Sequence, residues 1–311
     1  MTQSTSPSSP SPSNRLDPTR AGLAAVSGYV VWGLSPLFYQ LIDFAGPAEI
    51  VLQRAIWSAP VLLIILLMAG RWQSTIAVLS DRKTLWVLAL TSVLIAANWW
   101  LFIYAVNTEQ VLSVSLGYFI NPLMNVAVGV MVLGERFGRL RAVAVGLATL
   151  GVINQVITVG ELPLIALVLA ASFCAYGYVR KTIEVDGRIG LFWETVIIGV
   201  PSLVALAFLE GSGSGHFFDG PWEAFLLIAT GPMTVAPLLL FILGARGLSL
   251  AIIGAFQFIA PSIQFAIGVI GGEPFSFAHA ITFAFIWAGL AVFVVDLLHF
   301  ENKRRRETET P

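Results

Sequence analysis

Ser115, Tyr118, Pro122, Asn125 and Gly129 recur at steps of three and four within an otherwise apolar run. That spacing lines one face of a helix. Gly254, Gln257, Pro261, Gln264 and Gly268 repeat the pattern at a constant offset of 139 residues. Hydroxyl and amide groups can hydrogen-bond a passing solute, but in a dry apolar core they are costly. Two readings are open for each stripe. One is close helix packing through small residues, with amides bonding a neighbouring helix. The other is the wall of a water-accessible pathway, which suits the large polar groups of Tyr118, Gln257 and Gln264. Pro122 and Pro261 each remove a backbone N–H. A carbonyl freed to meet solute and a plain kink both fit them.

Arg54 stands about six residues into an apolar segment, roughly 9 Å deep at about 1.5 Å per residue. An arginine at the centre of a membrane helix costs about 2.5–3.5 kcal/mol on insertion scales, so this one should face the interior or a cavity. Its candidate partners are Glu49, Glu273 and the carboxylate of a bound solute; a structural ion pair at the rim is the plainer alternative. Glu194 enters another segment from the opposite side. Depth arithmetic separates the two by more than about 10 Å, so they are not expected to pair. Glu194 is the one plausible proton carrier, and Asp296 lies at a segment end. Proton coupling is open rather than indicated.

Aromatic residues gather at Trp32, Trp57, Trp99, Trp100 and Tyr104, with Tyr176 and Tyr178 further along. An aromatic-walled cavity suits flat or amphipathic organic molecules and cations. Packing or interfacial anchoring is the plainer role for any one of them, and Trp86 and Trp222 fit anchoring. Asn98, beside Trp99, needs a hydrogen-bond partner if buried. A bond between helices would supply it. His216, His279 and His299 lack metal-ligand spacing, and Cys174 is the single cysteine. With no phosphate loop and no nucleophile elbow, neither enzyme activity, metal nor cofactor is expected.

These side chains need elements to hold them. The chain has 311 residues, 57% hydrophobic and only 11% charged, against about a quarter charged in soluble domains. The solvent for that much apolar surface is lipid. A net charge of −1 argues against nucleic acid as a partner. Ten apolar segments are expected, near 21–42, 48–69, 83–105, 110–133, 140–158, 162–180, 189–209, 222–244, 249–270 and 276–298. Long unalternating runs favour helices over a barrel, since a helix satisfies its own backbone in lipid. Residues 1–20 form a Ser/Pro-rich tail expected to be disordered, and 300–311 a basic one.

Charge tests the count. With the N-terminus inside and ten crossings, sixteen of the 17 Lys and Arg residues fall on the inside and none in an outside loop. Arg54 is the remainder. Cytoplasmic regions should carry that excess, so both termini are expected in the cytoplasm.

The duplication reaches beyond the stripes. Phe102 to Pro122 lies on Phe241 to Pro261 without a gap. Halves of five spans, 21–160 and 161–299, are an odd number each, so the second half is expected to be inverted. An all-α integral membrane protein of ten transmembrane helices in two inverted five-helix repeats reads as a transporter with its site between the repeats.

Particular runs also carry a resemblance. Trp32-Gly33-Leu34-Ser35-Pro36, Arg54-Ala55-Ile56-Trp57-Ser58, Asn98-Trp99, Ser115 through Leu123 with Gly134-Glu135-Arg136, Pro237 through Phe241, and Gln257-Phe258-Ile259-Ala260-Pro261 with Gly272-Glu273-Pro274 resemble the RarD branch of the EamA-type drug/metabolite transporter superfamily. The resemblance spans roughly residues 21–300. It implies inverted repeats in a bacterial cytoplasmic (inner) membrane, a central cavity lined by both repeats, and a permease or exporter role. One departure is Gln53, where that family commonly has histidine before the arginine.

The expectation is a secondary transporter that moves a small organic metabolite or amphipathic drug through a central cavity by alternating access. Its walls are expected from Trp32, Arg54, Trp57, Asn98, Trp99, Tyr104, Ser115, Tyr118, Asn121, Pro122, Asn125, Tyr176, Glu194, Gln257, Pro261 and Gln264. The competing expectations are a non-transporting membrane sensor or assembly protein and, less well supported, an intramembrane enzyme.

Overall fold

A computed structural model describes residues 18–133, 138–160, 162–245, 248 and 250–309. The Ser/Pro-rich start, the Gly134-Glu135-Arg136 run and Arg246 lie outside the described residues. The described chain is helical, with no strand: α1 (Pro18–Gln40), α2 (Pro47–Met68), α3 (Trp72–Ala77), α4 (Arg82–Asn107), α5 (Val111–Leu133), α6 (Arg139–Asn154), α7 (Leu164–Arg180), α8 (Gly187–Gly211), α9 (Pro221–Ala245), α10 (Leu250–Phe256), α11 (Ile259–Ile270) and α12 (Phe277–Glu309).

Among these residues nine stretches are long and apolar enough to cross a membrane, α10 and α11 counting together. The 17-residue α7 is apolar but shorter. Large apolar side chains such as Met68, Trp86, Phe208, Ile270 and Phe277 stand exposed on the flanks, as expected where acyl chains replace water. The concavity at Leu203, Val204, Ala207 and Phe208 belongs to such a flank and is lined by apolar side chains alone. The short α3 between the second and third long helices has no counterpart among the expected segments. Trp193 of α8 ties it down, donating its indole N–H to the Thr75 carbonyl at 2.8 Å.

Local chemistry sets several helix starts. Asp81 accepts from the backbone N–H groups of Lys83 and Thr84 at the start of α4. Asp186 does the same for Arg188 at the start of α8. Both satisfy donors that a helix start leaves open. Pro47 opens α2, where its missing N–H costs nothing.

The packing has an internal correspondence. α1 packs on α9 and α4 on α7; α2 packs on α9 and α4 on α8; α1 packs on α11 and α5 on α7. The pairs α2–α8, α5–α11 and α6–α12 map onto themselves. These pairings survive exchange of α1, α2, α4, α5 and α6 for α7, α8, α9, α10/α11 and α12, while α4 also packs on α1 and α2. Small residues permit the closest approaches. A Cβ at Gly33 would sit 2.8 Å from Ile263 of α11, and one at Gly231 would sit 2.4 Å from the Trp57 backbone.

The duplicated stretch does not fold identically twice. α5 runs without interruption through Pro122. Its counterpart breaks into α10 and α11, with Gln257 and Phe258 in a turn between them. Pro261 cannot donate to the Gln257 carbonyl, which accounts for a weak point there. Pro122 creates the same vacancy opposite Tyr118. The unbroken α5 is clamped on several sides, by α7, α11, α6, α4 and α12.

Candidate functional site

Arg54 lies seven residues beyond the start of α2 and is only 8% exposed. Its guanidinium carbon sits 4.1 Å from the Trp99 ring centroid and 5.7 Å from that of Tyr39. Tyr118 of α5 is within its electrostatic reach. Phe102 closes this aromatic group, 5.8 Å from Tyr39 and 6.3 Å from Tyr118 between ring centroids. Arg54 Nε is buried without an acceptor. One turn further along α2, on the same face, the fully buried Ser58 hydroxyl is also without a partner.

The carboxylates expected to answer Arg54 are engaged elsewhere. Glu49 accepts from His216 twice, from the backbone N–H at 2.9 Å and at Nδ1 at 2.7 Å. Five residues along a helix is also about 140° around it, so Glu49 and Arg54 point apart. Glu273 accepts from the first backbone N–H groups of α5, Val111 and Leu112, the latter at 2.8 Å. A carboxylate at a helix N-terminus is favourably placed. Both contacts lie at one end of the bundle and join segments far apart in sequence. Next to His216, Phe217 stacks on Trp57 with centroids 6.0 Å apart. The bond to Glu49 holds the His216 imidazole above the usual histidine pKa.

Glu194 stands seven residues beyond the start of α8 and is fully buried. Its carboxylate accepts from Thr91 at 2.7 Å and Tyr176 at 3.1 Å, and pairs with Arg180 at 3.4 Å. As expected from depth, it does not pair with Arg54. Tyr176 therefore serves this network, with its ring 6.0 Å from that of Phe173.

The other expected wall residues separate into groups. Asn98 donates to the Leu169 carbonyl at 3.1 Å and to Ser172 at 2.9 Å, making the helix–helix bond that was the plain reading. Ser115 donates to the Pro261 carbonyl at 2.8 Å, joining α5 to α11. Pro122 and Pro261 are buried. Gln264 donates weakly to the Trp32 carbonyl at 3.4 Å, while its Oε1 is buried and unpaired. Trp32 packs among Tyr29 and Phe241. Asn121, one turn from Tyr118 on α5, also has a buried, unpaired Oδ1. Asn125 follows it and is exposed, while Gln257, in the break, is half-buried. Trp57 donates to the buried Gln53 at 2.9 Å.

Tyr104 stands apart from these groups. It is 38% exposed and stacks on Trp100, 44% exposed, on the face of α4 opposite Asn98, Trp99 and Phe102. Tyr39 and Arg180 are contributors that no motif singles out. The available signal for Arg180 is its i,i+4 spacing from Tyr176, which puts both on one face.

The EamA-like transporter family model matches residues 19–155. A chain from Vibrio cholerae described as an uncharacterized transporter is 38% identical over 295 residues, covering 94% of this chain and 98% of its own. Protein RarD of Escherichia coli is 40% identical over 288 residues, covering 92% and 97%. A chloramphenicol-sensitive protein RarD of Pseudomonas aeruginosa is 27% identical, covering 91% and 96%. A solved crystal structure superposes with a TM-score of 0.56 at 19% identity, covering 88% of this chain and 96% of its own, which speaks to fold alone.

Proposed function

This chain belongs to the RarD branch of the EamA-like transporter family, a multi-pass membrane transporter, and from that premise we propose that it carries a small organic solute through a polar seam between two inverted halves. The observation that carries this reading is a group of buried, unpaired polar atoms on Arg54 and Ser58 of α2, Asn121 of α5 and Gln264 of α11; Asn107 Oδ1 and Arg180 Nη1, at the ends of α4 and α7, are also buried and unpaired. Such atoms are costly in a sealed apolar core and useful where a solute or water must pass. They come from both proposed repeats, 21–160 and 161–299. The exchangeable packing of the helices supports the inverted arrangement, in which α7 is the tenth crossing.

In this reading alternating access is a rocking of one five-helix half against the other. The Glu49–His216 and Glu273–α5 contacts hold the halves together at the outer face, and the termini are cytoplasmic. Substrates are small metabolites or amphipathic drugs, moved outward by analogy with the family. Tyr118, Asn121, Asn125, Gln257 and Gln264 line the route, with Trp32, Trp57 and Trp99 as its aromatic wall. Asn98, Ser115, Pro122, Pro261, Tyr176 and Glu194 brace it. Proton coupling would fall to Glu194, and its bonds to Thr91, Tyr176 and Arg180 give that carboxylate a bracing role.

Counterflow in proteoliposomes tests the reading. Preloaded vesicles should accumulate at least one labelled solute from a broad metabolite panel, and Gln264→Leu should reduce the rate without unfolding the protein. A panel in which nothing moves would overturn it. For orientation, an impermeant thiol reagent should reach Ser214→Cys in intact cells, with Cys174 replaced by Ala. Labelling only after lysis would reverse the proposed sidedness.

A further inference from the structure

A guanidinium that is nine-tenths buried requires oxygen acceptors for its five N–H donors. Arg54 makes no hydrogen bond or ion pair among the described residues, and its Nε is buried without an acceptor; the two acidic candidates are committed, Glu49 to His216 and Glu273 to the start of α5. Trp99 at 4.1 Å offers a cation–π contact. That faces the ring quadrupole and leaves the in-plane donors unsatisfied. Beside them stands the unpaired Ser58 hydroxyl, one turn away on the same face of α2. Cation and hydroxyl share one face of α2; Tyr39 and Trp99 lie against the guanidinium, and Phe102 joins Tyr39 to Tyr118.

We propose that Arg54 and Ser58 form a binding site for the carboxylate of a small organic monoanion, whose apolar or aromatic body rests on Trp99 and Tyr118. The proposal rests on the transport reading for its purpose but not for its test. The planar fork of arginine matches a carboxylate with two parallel hydrogen bonds. One cation matches one negative charge. The aromatic wall disfavours a second charge or a polar body, which would be desolvated without a partner. The carboxylate completes the half of an ion pair that the protein itself lacks.

The experiment uses the full chain in lipid nanodiscs and reads binding by calorimetry and by thermal shift. The probes are acetate, butyrate, benzoate, phenylacetate and indole-3-acetate, each beside its primary amide. The amide keeps the shape and removes the charge. At least one carboxylate with an apolar body should bind, and its amide should bind at least ~100-fold more weakly, as expected when one partner of a desolvated pair is lost. Arg54→Gln should abolish that preference. Arg54→Lys should restore part of it, because a point charge replaces a fork. Ser58→Ala should weaken the carboxylate by about tenfold, the size of one hydrogen bond to a charged group.

Equal binding of acid and amide, retention of the preference in Arg54→Gln, or a panel in which no carboxylate binds would overturn the proposal. The acid–amide comparison in the unmodified protein stands even if Arg54→Gln fails to fold. Failure of transport is read separately. Carboxylate binding without counterflow would remove the transport reading and leave the site, whereas counterflow of neutral solutes without carboxylate preference would do the reverse.

Discussion

Arg54 and Glu194 occupy matching places. Each stands seven residues into its helix, and those helices, α2 and α8, pack against each other. Their surroundings differ in kind. Glu194 is met by a hydroxyl from α4, a phenol and a guanidinium from α7. Arg54 is met by the rings of Trp99 and Tyr39, and its Nε has no acceptor. A buried carboxylate that receives three donors from the fold braces that fold, although Arg180 Nη1 beside it is itself buried without an acceptor. A buried charge whose partners are missing destabilises the empty protein and is available to something that arrives. On the proposed reading, the same burial marks structure at Glu194 and recognition at Arg54.

The largest effect expected from this contrast is on stability. Glu194→Ala should cost about 3–5 kcal/mol, because it leaves a buried guanidinium uncompensated. Arg54→Met, by the same reasoning, should leave thermal stability unchanged or raised while removing carboxylate binding. Equal losses in detergent melting curves for the two variants would erase the distinction.

Hydroxyl deletions on either side sharpen it. Tyr176→Phe removes one hydrogen bond to a charged group and should cost about 1.5–3 kcal/mol. Tyr118→Phe should change solute affinity and leave the melting temperature within error. The opposite pattern would exchange the roles of the two networks.

A smaller effect is expected at the His216 clasp beside the Arg54 helix. Glu49 raises the imidazole's pKa in the folded protein. Its contribution is therefore full below the ordinary histidine value of about 6.5 and is lost as pH rises through the raised one. Labelling of Ser214→Cys should accelerate across that upper window, and His216→Gln should flatten the pH dependence. A rate that falls with rising pH would contradict the clasp.

The smallest effect is at the excluded ring. Tyr104→Leu should shift stability by no more than about 0.5 kcal/mol and leave counterflow unaltered. Loss of transport would return Tyr104 to the route.

Much of this fold is legible from apolar length alone, since nine of the expected crossings are long apolar stretches among the described residues. Asn98 is equally legible, because a buried amide must bond and its neighbours are helices. Arg54 and Glu194 announce themselves as charges at depth. Their partners do not, because Thr91 lies 103 residues before Glu194 and nothing local encodes the meeting. The identity of Arg54's neighbours fails for a different reason. Glu49 and Glu273 are near in depth, but angle around the helix and a competing N-terminus decide where they bond. Tyr104 shows the same limit: proximity to Trp99 and Trp100 in sequence does not fix which face it takes. The break after Phe256 is likewise not readable from proline, since Pro122 and Pro261 occupy equivalent positions and only one interrupts its helix.

That last inequality has a mechanical consequence. A straight rod transmits a push along its whole length, while a jointed one can fold at the elbow and leave its far segment still. With α5 as the rod and α10/α11 as the jointed limb, the two faces of the membrane would be opened by different kinds of movement, and a crosslink across the elbow would arrest one without touching the other.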